Sequence, residues 1–140
     1  MKKWYIIHGD NLEAAKAVFA AVSRYAVASC MHIRELTDEI QSGGSLIYVG
    51  VKGIIDVPKD GYRIKVFKNE SNNETVILDG DGYANTLYAA MDFENKYLVK
   101  AIDANKHDIP YFFRDIFNTA ELPEYDESFV PYIKERALWS

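Results

Sequence analysis

The chain has 140 residues, 49% hydrophobic and 14% aromatic, enough to bury one sizeable core and about the length of one average domain. Its formal charge of −5 and scattered basic residues lack the dense Lys/Arg stripe that a polyphosphate backbone requires, so nucleic acid is not an expected partner. No apolar run approaches the roughly 20 residues of a membrane span, the run Trp4-Tyr5-Ile6-Ile7 is too short for a signal peptide, and the single cysteine, Cys30, excludes an internal disulfide or a thiolate metal cluster.

Trp4 to His8 is rich in β-formers, and Gly9-Asp10-Asn11 supplies a turn and a cap, which predicts a first strand running into a helix. From Leu12 onward Ala15, Val18, Phe19, Val22, Tyr25 and Ala26 recur at helical spacing, with Glu13, Lys16, Ser23 and Arg24 between them. Free cysteine tends to be buried, so Cys30 is expected to be a structural thiol. Met31 to Leu36 reads as a strand, Thr37-Asp38-Glu39 as the cap of a single helical turn ended by Gly43-Gly44, and Ser45 to Gly50 as the clearest buried strand. Gly50 to Asp60 has no clean period and is expected to be a loop that tucks Ile54, Ile55 and Val57 onto the core.

Tyr62, Ile64 and Val66 alternate with Arg63, Lys65 and Phe67, Asn69 to Asn73 is turn-rich, and Thr75 to Leu78 is β-prone, which describes a hairpin. After Asp79-Gly80-Asp81-Gly82, a second amphipathic helix is predicted from about Ala84, carrying Leu87, Ala90, Met91, Glu94, Tyr97 and Leu98. Beyond Lys100 the pattern changes: Pro110 to Phe113 and Phe129 to Tyr132 are aromatic, while Glu121 to Glu127 is acidic and poorly periodic. The expected fold is α+β, an open mixed β-sheet bearing two long helices over residues 1–100, followed by an irregular aromatic tail over 101–140. The strand order is not legible.

The stretch Thr75-Val-Ile-Leu-Asp-Gly-Asp-Gly-Tyr-Ala-Asn-Thr-Leu-Tyr-Ala-Ala-Met-Asp-Phe-Glu-Asn-Lys-Tyr-Leu98 resembles the non-catalytic domain that precedes the barrel in α-glucuronidases and β-N-acetylhexosaminidases. Leu46 to Gly50 is similar to that domain's strand-Gly step, Tyr62 to Val66 to the strand entering its hairpin, and Ile133 to Ser140 to the segment leading into the first barrel strand. Ala137 stands where the usual pattern has Gly after Arg, and Ala84-Asn85 replaces part of a Gly-rich helix start. The resemblance implies an accessory domain attached to a (β/α)8 catalytic domain of a glycoside hydrolase, with the catalytic carboxylates beyond Ser140 and no cofactor in this chain.

Within the chain no complete catalytic set emerges. Asp79 and Asp81, or Asp92 and Glu94, could be paired on paper as glycosidase carboxyls, but residues two apart do not share a helix face. Asp79-x-Asp81-Gly82 lacks the further ligands of a calcium loop and reads as a turn with a helix cap. His8, His32 and His107 lack zinc-site spacing, although His8 and Asp10 follow a strand where a metal-dependent hydrolase could place ligands. Gly50-Val-Lys-Gly53 is no phosphate-loop motif, and no nucleophile elbow is present.

The aromatic residues Tyr111, Phe112, Phe113, Phe117, Phe129, Tyr132 and Trp139 are of the types enriched at interface cores and are expected to meet a second domain, unless they complete this domain's own core. The expected partner is therefore a downstream catalytic domain of the same polypeptide, in a cytoplasmic protein without membrane contact. The alternative is a free-standing module binding carbohydrate or another small ligand on its aromatic faces.

Overall fold

A computed structural model of the chain describes residues 3–24, 26–98 and 122–131. These residues form an α+β fold around one six-stranded mixed sheet. The strands are β1 (Lys3–His8), β2 (Val27–His32), β3 (Ser45–Val49), β4 (Tyr62–Lys68), β5 (Glu74–Gly80) and β6 (Tyr125–Phe129), arranged β2-β1-β3-β5-β4-β6. β1, β2, β3 and β5 run parallel, β4 is antiparallel to β5, and β6 is antiparallel to β4. The helices are α1 (Leu12–Ser23), α2 (Asp38–Gly43) and α3 (Tyr83–Phe93), the last continuing into a π-helical segment, Glu94–Leu98.

The layering follows from the handedness of parallel crossovers. The step from β1 to β2 moves one way across the sheet and the step from β2 to β3 moves back the other way, so right-handed connections must lie on opposite faces. Packing agrees: α1 and α3 cover the first face, while the Ile33–Glu35 turn, α2 and the loop after β3 lie over the second. The sheet bears two long helices, as the sequence pattern leads one to expect, and both lie on one face.

On the first face Trp4, Ile6, Ile47, Val49, Ile64, Val66, Val76 and Leu78 of the sheet meet Ala14, Ala15, Val18, Ala21 and Val22 of α1 and Ala89, Ala90 and Phe93 of α3. Small alanines on both helices let their axes lie close to the strands. The Asn11 side chain caps α1 by accepting from the Ala14 N–H at 3.0 Å. Gly82 begins α3 at a φ of +85°, a conformation open to glycine, with no side-chain cap. Tyr25 lies outside the described residues, as do the side chains of Tyr97 and Leu98.

Four features differ from the sequence reading. The strand expected at Met31 to Leu36 instead begins at Val27 and ends at His32, followed by a 3-10 turn over Ile33–Glu35. A reciprocal cap drives that turn: His32 Nδ1 accepts from the Arg34 N–H at 3.1 Å, and Glu35 Oε1 accepts from the His32 N–H at 3.2 Å. Cys30 is exposed, because β2 is an edge strand, and not the buried thiol expected. Ile54 is 40% exposed, whereas Val51 and Ile55 of the same loop pack on the second face.

The fourth difference is β6, which arises inside the stretch expected to be irregular. Periodicity misses it because cross-strand chemistry holds it: Arg63 donates from Nε and Nη2 to the two carboxylate oxygens of Asp126, each at 2.7 Å. One position along, the Phe129 ring stacks on Tyr62 with centroids 5.2 Å apart.

Candidate functional site

The strands of this sheet carry apolar side chains on both faces. In β3, Ile47 and Val49 serve the helix face, so Leu46 and Tyr48 point to the other; in β5, Ile77 opposes Val76 and Leu78 in the same way. Phe67 joins them from β4, and Ile33, Leu36 and Ile40 close over one side. Among the described residues, the short α2 and its neighbours cover this face less fully than the long helices cover the first.

What remains is a groove of about 610 Å³. Its floor and walls are Leu46, Tyr48, Phe67, Ile77, Ile33 and Leu36, with Ile54 at the rim. The polar lining is sparse: Gln41, Lys52, Asn69 and Thr75. Gln41 Nε2 lies 3.5 Å from the Tyr48 hydroxyl, and burial pushes that phenol above its ordinary pKa. No carboxylate, histidine or thiol is among the described lining residues.

The loop that forms the rim is pinned by an ion pair. Lys52 Nζ donates to Asp79 Oδ1 and to the Gly80 carbonyl, both at 2.7 Å. Asp79 Oδ1 also accepts from the Gly80 N–H at 2.9 Å, so one oxygen of this buried carboxylate takes both an ammonium and a backbone amide. Asp79 therefore anchors the loop after β3 to the end of β5.

The other sequence candidates resolve individually. Asp81 Oδ2 accepts from the Asp60 N–H at 2.7 Å, while Gly82 occupies the α3 cap position, so Asp81 holds the turn before β4 and does not cap the helix. Asp92 accepts from the Tyr62 hydroxyl at 2.9 Å and pairs with Lys96 at 3.3 Å. His8 Nδ1 lies 2.8 Å from the Gly9 carbonyl, and the His8 ring meets His32 edge-on at 5.2 Å. Among the described residues no group of three or more His, Cys, Asp or Glu side chains is placed to hold a metal ion.

Of the aromatic residues assigned to an interface, Phe129 is the one the structure describes. It stacks on Tyr62 and takes the Lys96 ammonium 3.8 Å from its ring centroid, so it is engaged within its own sheet. Tyr111, Phe112, Phe113, Phe117, Tyr132 and Trp139 lie outside the described residues. Tyr48, Phe67 and Ile77 line the groove without belonging to any functional motif of the sequence. The signal was present in Leu46-Ile-Tyr-Val49 and Val76-Ile-Leu78, whose unbroken apolar character marks strands covered on both sides.

Comparison of the chain with protein-family models, with curated proteins and with solved structures finds no match. Among the described residues no helix is long and apolar enough to cross a membrane.

Proposed function

We propose that this chain is a non-catalytic accessory domain of a glycoside hydrolase, whose second sheet face seats a catalytic (β/α)8 barrel. The observation that carries the reading is the contrast between the two faces. One is sealed by α1 and α3, and the other keeps an apolar groove with no carboxylate in its described lining. A groove of that composition suits burial against another apolar surface. It is unsuited to glycoside hydrolysis, which needs two carboxyl groups about 5–9.5 Å apart across the bond.

The choice of partner rests on the resemblance of Thr75–Leu98, which spans β5, its glycine turn and α3. The two acids of that turn are engaged in holding neighbouring loops, and Asp92 is engaged with Tyr62 and Lys96.

A sugar-release assay on the isolated chain with a panel of aryl glycosides should show no turnover above a heat-treated control. Reproducible hydrolysis would overturn the reading. Translating the reading frame past Ser140 should give roughly 250 residues of alternating strands and helices, and a stop codon there would sink the proposed partner.

A further inference from the structure

The two edges of the sheet differ in how they are guarded. β6 presents Asp126 and Glu127, charges of the kind that keep an edge from pairing with a further strand. β2, Val-Ala-Ser-Cys-Met-His, has no acidic residue, no lysine or arginine and no proline, and its Val27 is 42% exposed. It is the longer of the two edges and, among the described residues, pairs on one side only, with β1.

The capping turn after β2 shows which backbone groups are open. Glu35 Oε1 takes the His32 N–H, so that amide is turned away from β1. Backbone groups alternate along a strand, so the N–H and C=O of Ala28 and Cys30 face the same outer side. Glu35 thereby closes the C-terminal end of the edge and, among the described residues, leaves Ala28 and Cys30 as its open donors and acceptors.

From this we infer that β2 pairs with β2 of a second copy of this chain, antiparallel, about a two-fold axis through Ser29. In that register Ala28 lies opposite Cys30 of the second copy, and Cys30 opposite its Ala28. Every open amide and carbonyl of the two residues is then satisfied in reciprocal pairs. A register centred on Cys30 would instead set Ala28 against His32, whose N–H is already taken by Glu35. A second copy is the occupant this edge fits, because the open groups are complementary to themselves and no charge within β2 opposes a like charge. The sheets of the two copies become continuous, and the groove on the second face stays open in each.

The contact is small, so the dimer forms weakly and depends on concentration. Sedimentation velocity from about 10 µM to about 1 mM should show the mass rising toward twice that of the monomer. Ser29→Lys, which places like charges at the axis, should weaken association at least tenfold. Directly opposed residues of such a pair lie ~4.5 Å apart and diagonal ones ~7–8 Å, so a cysteine at 29 can bridge to its mate whereas native Cys30 cannot.

Under mild oxidation the Ser29→Cys/Cys30→Ser protein should give a disulfide-linked dimer and the natural chain should not. A monomer at every concentration, an association insensitive to Ser29→Lys, or equally fast cross-linking through Cys30 would each overturn the inference. Should Ser29→Lys fail to fold, the concentration series and the cysteine pair still decide it.

Discussion

At Tyr62 a phenol on β4 donates to Asp92 of α3 at 2.9 Å while its ring stacks on Phe129 of β6, so one side chain joins three elements. Burial, followed by the hydrogen bond and charge of Asp92, pushes the Tyr62 phenol well above its ordinary pKa. The fold thus favours the protonated form. Its contribution to stability is fully present below the unfolded value of about 10 and is lost as pH rises toward the higher folded value. Denaturation midpoints taken at about pH 8 and about pH 11 should fall across that interval. Tyr62→Phe should lessen the fall without abolishing it, since Tyr48 and Tyr125 shift in the same direction. At neutral pH the same substitution should cost about 0.5–1.5 kcal/mol through the lost hydrogen bond.

At the scale of elements, the joint between β5 and α3 is set by how closely two backbones approach. A Cβ at Gly80 would sit 2.5 Å from the Thr86 backbone nitrogen, which cannot yield without moving the first turn of α3. Gly80→Ala is expected to destabilise the fold by about 1–3 kcal/mol or more, read as a lowered urea midpoint. Gly43→Ala is the control, because a Cβ there meets nothing within 4 Å. An equal loss in both variants would refute the close-approach argument. The same joint positions the Lys52–Asp79 anchor, so a shift in α3 is expected to loosen the groove rim as well.

At the scale of the molecule, the unequal cover that the described residues give the two sheet faces is the property with consequences. An environment-sensitive apolar dye such as ANS should bind the groove of the native chain at neutral pH. Phe67→Lys combined with Ile54→Lys should remove most of that signal while the far-ultraviolet circular dichroism stays unchanged. Dye binding that survives the double variant would place the apolar surface elsewhere. Neither substitution touches the core under α1 and α3, so a loss of fold is not expected.

Much of the local structure was legible in the chain itself. The α1 repeat, the Asn11 cap, the β4–β5 hairpin and the two-face apolar strand β3 are encoded by residues within a few positions of one another, where spacing and turn chemistry act directly. The extent of β2 was not, since the capping residues His32, Arg34 and Glu35 overrode a β-prone run. β6 was hidden because its stability comes from Arg63 and Tyr62, about sixty residues away in sequence. The exposure of Cys30 and the open groove depended on strand order, which decides which strand lies at the edge and which face receives the long helices. Those are contacts between distant parts of the chain, and no local pattern of side chains specifies them.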